Sequence, residues 1–230
     1  MTPPTTPDST ASDSPVGILG SVADGQTYRN LLYLLLAFPL GLAYFILTVI
    51  GLSLGLGLSV LLVGLAILFG TVIALRSIAA FERTLANSLL GTDIAAPNDV
   101  DTHGAGLLDT AIAYVRASST WRSLGFVLLK FWLGVASFVL LVTFLGTAIE
   151  LALLPIYPGG ALDVQVFGWH AADTFQTSTQ RLLAVPLGIA LLVVALPILN
   201  VFARVNASAA ESLLGPNEPT AKQALDARRE

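Results

Sequence analysis

Four long uncharged stretches alternate along the chain with short segments that hold nearly every charge. No charged residue occurs between Asn30 and Leu75. As one helix that run would extend about 69 Å at ~1.5 Å per residue, twice the ~30 Å hydrocarbon core of a bilayer. It therefore predicts two spans, with a tight hairpin in the Gly/Ser-rich segment from Gly51 to Ser59, where glycine tolerates turn conformations. Two further spans are predicted, from Phe131 to Ile149 and from Leu182 to Ala203. Beyond the second span Ile78, Phe81, Leu85 and Leu89 form an apolar stripe beside Arg76, Glu82 and Arg83, the pattern of a helix continuing into the interface. Gly91 and Gly215 are expected helix stops, with Pro97 and Pro216 beyond them. Leu108, Ile112 and Val115 predict a second inner helix over about 107–118, reached through a mobile connection over 93–106.

The charges orient the zigzag. With the N-terminus in the cytoplasm, Arg29, Arg76, Arg83, Arg116, Arg122, Lys130, Arg204, Lys222, Arg228 and Arg229 all fall inside or at the inner boundary, and only Arg181 falls outside. The outer loop, about 155–180, carries Asp163 and Asp173, with Glu150 at its threshold, as the positive-inside bias expects. The expectation is a multi-pass protein of the cell membrane with both termini cytoplasmic. Composition agrees: 55% of residues are hydrophobic and only 11% charged, against about 25% charged in ordinary soluble domains. Nucleic-acid binding is not expected. The absence of cysteine excludes disulfides and thiolate metal sites. Residues 1–27, rich in Pro, Thr, Ser and Asp and free of positive charge, read as a disordered cytoplasmic tail and not as a secretory signal. Residues 217–230 read as a second tail.

The second half of the chain echoes the first. Tyr28-Arg29-Asn-Leu31 matches Trp121-Arg122-Ser-Leu124 at an offset of 93 (122 − 29), and Phe38-Pro-Leu-Gly41 matches Phe131-Trp-Leu-Gly134 in the same register. Ala86 to Gly91 matches Ala210 to Gly215 at an offset of 124 (215 − 91). The predicted fold class is thus an all-α membrane protein, four transmembrane helices built as two tandem parallel two-helix repeats with short cytoplasmic interfacial helices. Repeat one covers 28–91, the cytoplasmic connection 92–120 and repeat two 121–216.

Few residues suggest chemistry. Tyr28, Arg29, Trp121 and Arg122 fit the inner interface as anchors, a ring at headgroup depth and a guanidinium against phosphate. Lys130, a turn inside the third span, is expected to snorkel to the inner surface. Gly51, Gly55 and Ser59 could pack helices closely as well as turn, and Pro39, Pro186 and Pro197 are expected to bend their helices. In the outer loop Asp163, Trp169, His170 and Asp173, with Glu150, form the one outward polar cluster, the candidate stimulus-sensing residues. An imidazole beside carboxylates could bind a cation or titrate near neutral pH, and a solvated loop is the plainer reading. His103 reads as a loop residue. No Walker-type loop, nucleophile elbow, zinc helix or intramembrane carboxylate pair appears; no enzyme, cofactor or metal is expected.

With Tyr28 to Tyr33, Phe38 to Tyr44, Thr120-Trp121-Arg122 and Ala210 to Pro216 as its motifs, the chain resembles the sensor domain family found N-terminal to many bacterial two-component histidine kinases. The resemblance covers about 28–216 and implies a four-helix membrane input module with no catalytic residues. In those kinases the last helix leads to a phosphoacceptor helix and an ATP-binding domain, whereas this sequence stops soon after Gly215. The expectation is a stand-alone membrane sensor or regulatory module that relays an extracellular or bilayer stimulus to a signalling partner in the cytoplasm or membrane. The alternatives are a membrane subunit of a transporter or export complex and a structural scaffold; a homo-oligomer is left open.

Overall fold

The computed structural model describes residues 25–97, 113–162 and 164–216. Four helices are long and apolar enough to cross a membrane: α1 (Gly25–Gly57), α2 (Val63–Leu90), α3 (Ser118–Leu153) and, at the end, α5 (Ser178–Leu214). Between α3 and α5 lie a two-stranded antiparallel ladder, β1 (Gln165–Val166) and β2 (Trp169–His170), and the single-turn α4 (Ala171–Thr174). Helices of this length follow from the apolar runs, because in hydrocarbon a helix satisfies every backbone donor and acceptor within its own segment. Pro39 lies inside α1, and Pro186 and Pro197 inside α5, without ending either helix.

The first hairpin turns later than its glycines suggest. Helix α1 runs on to Gly57, and the chain reverses over 58–62, where the Gly64 amide donates to the carbonyls of Leu58 and Leu61. Gly51 and Gly55 are helical and serve close packing: a Cβ on Gly51 would collide with the Thr71 side chain, and one on Gly55 would come within 2.6 Å of Leu68. Among the described glycines, positive φ is kept for Gly91, Gly160 and Gly168. Gly91, at φ 69°, closes α2 in the left-handed conformation, the expected helix stop.

The chain divides into two compact units, one of residues up to Leu32 with Phe138–Phe202 and one of Tyr33–Ser137 with the segment from Ala203. In the second of these, α2 buries Thr71, Leu75, Ile78, Ala79, Glu82 and Ala86, a three-and-four spacing that lines one face. Of the stripe expected from the sequence, Ile78 is buried and Leu85 and Leu89 pack against the core, but Phe81 is 51% exposed and Glu82, expected beside the stripe, is fully buried. Helix α3 contributes Phe126, Val127 and Lys130, and Tyr33, Ala79, Ala86, Ile94, Phe126, Ala210 and Leu214 form one core cluster. Helices α1 and α3 meet through two glycines. A Cβ on Gly41 would stand 2.7 Å from the Lys130 carbonyl oxygen, and one on Gly134 would stand 2.5 Å from that of Ala37. Each glycine thus rests on the carbonyl of the residue four before the other, a backbone-to-backbone approach that only a missing side chain allows. Phe45 stacks on Phe131 beside this crossing, with centroids 4.5 Å apart.

In the other unit the C-terminal half of α3 contains a π-turn, Leu141–Gly146. A π-turn holds one residue more than an α-turn and rotates the residues beyond it. Thr147, Ala148, Glu150 and Leu151 are buried past that turn. Gly188 of α5 packs against the Ala148 carbonyl, and Leu151, Leu154, Ala171 and Ala184 form the core here. At the other end of this unit, Asn30 donates to Asn200 at 2.9 Å and Asn200 donates to Thr27 at 3.1 Å, so α1 and α5 are joined by a ladder of amides and a hydroxyl.

The expected tails over 1–27 and 217–230, apart from 25–27, lie outside the described residues, as do His103, most of the inner connection and residues 107–112 of the second inner helix. Residues 113–116 are helical, and α3 begins after a break at Ala117.

Candidate functional site

The loop between α3 and α5, expected on the outer side, is not a plain solvated connection. Phe167 and Gly168, at φ 51° and 81°, make a two-residue turn in which both centres are left-handed, the geometry that suits a tight hairpin. Pairing Gln165 with His170 and Val166 with Trp169 sets His170 at the start of α4 in extended backbone. Its Nε2 then lies 3.7 Å from Oε1 of Glu150, and its Nδ1 3.6 Å from Oδ2 of Asp173. Glu150 is fully buried, and its other oxygen accepts the Leu162 N–H at 2.7 Å. Gly160, at φ 96°, passes over the pair, where a Cβ would collide with Glu150 Oε1 and come within 3.1 Å of His170 Nε2. Glycine is required there on both counts. Arg181 donates from Nε to the Phe175 carbonyl at 3.1 Å and closes the base of the loop.

Of the residues singled out from sequence, Glu150, His170 and Asp173 are thus brought together. Trp169 is adjacent on β2 and 40% exposed, and Asp163 lies outside the described residues. The 3.7 Å separation is ion-pair distance but too long for a hydrogen bond. The imidazole and the buried carboxylate thus face each other without a direct hydrogen bond between them. Among the described residues no group of three or more His, Asp or Glu is placed to hold a metal ion.

A second polar centre is not foreseen by the sequence pattern. Lys130 does not snorkel: it is 1% exposed, its Nζ 3.0 Å from Oε2 of Glu82, itself fully buried. The ammonium donates to the Tyr33 hydroxyl at 2.7 Å, which donates onward to Glu82 Oε2 at 3.2 Å. It also lies 4.0 Å from the centre of the Tyr33 ring, within cation–π range. Three helices therefore converge on one internal charge pair. A lysine stem that snorkels would leave Glu82 buried without a counter-charge, a far larger cost than ordering the lysine. The available signal is the stripe Thr71, Leu75, Ala79, Glu82, Ala86, which runs through the acid.

The expected anchors face outward only in part. Tyr28 and Trp121 are about 60% exposed, whereas Arg122 donates to the Ser212 carbonyl and Trp121 donates from Nε1 to the Val115 carbonyl at 2.9 Å. Arg29 is exposed. Arg76 donates to Ser119 at 2.8 Å and to Thr120 at 3.3 Å and lies over the Tyr114 ring.

Compared with known proteins, residues 11–214 match the profile of a family described as "Putative sensor". No curated protein and no solved structure matches the chain.

Proposed function

The chain belongs to that sensor family, and from this premise we propose that it is an integral membrane sensor or regulatory module, without catalysis of its own, that relays an outer-side or bilayer stimulus to a signalling partner. The observation that carries the reading is the hairpin-held His170 over the buried carboxylate of Glu150. A group at the membrane edge that is both buried and within reach of a second titratable side chain couples a change outside to the end of α3. Any such coupling requires the stimulus to favour one loop arrangement over another. In this reading both termini are cytoplasmic and the protein lies in the cell membrane.

Two pairs of contacts support the tandem repeat. The reciprocal approach of Gly41 to Lys130 and of Gly134 to Ala37 exchanges positions related by the offset of 93. The bond from Arg76 to Thr120 and that from Asn200 to Thr27 are equivalent under the same offset and that of 124 (120 − 27 = 93; 200 − 76 = 124).

The test is crosslinking in native membranes with affinity purification through a C-terminal tag, on the wild type and on His170→Gln. Recovery of a signalling protein, with a yield that changes in His170→Gln, is the expected result. Recovery of a transport ATPase, or a partner indifferent to the hairpin, would sink the proposal.

A further inference from the structure

The internal pair of Lys130 and Glu82 leaves polar atoms that the protein's own groups do not satisfy. Of the two carboxylate oxygens, Oε2 takes both the ammonium, at 3.0 Å, and the Tyr33 hydroxyl, at 3.2 Å. Oε1 is sealed from solvent and receives no hydrogen bond. The Tyr44 hydroxyl is in the same condition. It lies about three turns beyond Tyr33 on the same face of α1 and is turned toward the Glu82 carboxylate, within electrostatic reach but without the geometry of a hydrogen bond. Both residues belong to the unit of Tyr33–Ser137, with Glu82 at 0% and Tyr44 at 9% exposure.

Two facing groups in this state are costly in an apolar core. Each has given up its hydration in water, and a charged group gives up most. Their needs are complementary, since a carboxylate oxygen accepts and a phenol hydroxyl donates. They do not meet directly because the Tyr44 ring is packed among Leu75, Ile78 and Val127, which hold it in place.

We propose that this centre is a binding site for an internal water molecule, which accepts from the Tyr44 hydroxyl and donates to Oε1 of Glu82. Internal waters make about two to four hydrogen bonds to buried polar groups, and a bridging water serves nearly as well as a direct bond. With it the carboxylate is bonded on both oxygens, to Lys130 and Tyr33 through one and to water through the other. The pair then keeps its two charges inside the bundle without a further charged residue, and Tyr44 is the positioning residue for the water.

The test exposes the whole protein in nanodiscs to hydroxyl radicals from a brief X-ray pulse and locates the added oxygen by mass spectrometry. Radicals formed from a bound water label the side chain beside it where bulk solvent does not reach. Oxidation of Tyr44 well above that of Phe126, an aromatic of the same unit at 1% exposure, is the expected result. In Tyr44→Phe the ring at position 44 should lose most of that labelling. The unfolding temperature should also drop, because the water loses one partner and Glu82 is left less well satisfied. A rise in unfolding temperature would mean that the hydroxyl had been unmet, since removing an unsatisfied buried group is a gain, and overturns the site. A drop with Tyr44 unlabelled in the wild type means a direct bond to Glu82 and overturns it equally. Should Tyr44→Phe fail to fold, the wild type decides: labelled Tyr44 supports the water, and labelling no greater than that of Phe126 overturns it.

Discussion

A lysine and a glutamate sealed together among three helices constrain each other. Removing one partner leaves the other as a buried, uncompensated charge, at a cost of about 3–5 kcal/mol, whereas replacing both with apolar groups of similar size is often neutral or stabilising. Lys130→Met should therefore destabilise the protein strongly in detergent. The double variant Lys130→Met/Glu82→Leu should recover much of the loss, and reversible unfolding in denaturant reads both. Near-additive losses would mean that the pair stabilises by its own attraction. At the outer loop, Gly160→Ala should cost about 1–3 kcal/mol locally, from backbone strain at φ 96° alone, before the clash with Glu150 is added. Faster hydrogen exchange across 160–170 would register it. The residues of the outer cluster were legible in sequence because they are the few polar groups between two spans. The inner pair was not. A charged residue near the end of an apolar run reads equally well as snorkelling or as turned inward, and which of the two holds depends on a partner on a different helix.

Between the α1 and α3 backbones the fold permits no side chain at Gly41 or Gly134. Leucine at either position should force the helices apart and lower the unfolding temperature sharply. Gly125, inside α3 and with nothing within 4 Å of the place a methyl group would take, should behave oppositely. Gly125→Ala should stabilise by about 0.5–1 kcal/mol, since helix-interior glycine gives up more backbone freedom than alanine. Melting curves of the two kinds of variant in the same detergent separate the packing role of glycine from its entropic cost. The number of spans followed directly from the sequence, because bilayer thickness limits how much uncharged chain one helix can absorb. The point of reversal did not, since a glycine in a membrane helix serves close packing as readily as turning, and Gly51 and Gly55 do the former.

At the scale of the whole molecule, four apolar helices and one-sided positive charge lead to a labelling experiment. The chain has no native cysteine, so single cysteines can be placed without background. Phe167→Cys, at the fully exposed tip of the hairpin, should react with a membrane-impermeant maleimide on intact cells. Ser208→Cys, near the inner end of α5, should react only after the membrane is opened. The reverse pattern would invert the orientation read from the arginines. The π-turn of α3 adds a consequence of its own. Because Leu141–Gly146 holds one residue beyond the number an α-helix needs, the segment is a one-step vernier: deleting a single residue there lets the helix close into regular α form. With that residue gone Glu150 would keep its face toward His170, whereas closing the turn with all its residues retained would swing Glu150 away by about 100°, the angle of one residue in an α-helix. The alignment of carboxylate and imidazole is therefore set by the count of residues in α3 and not only by their identity.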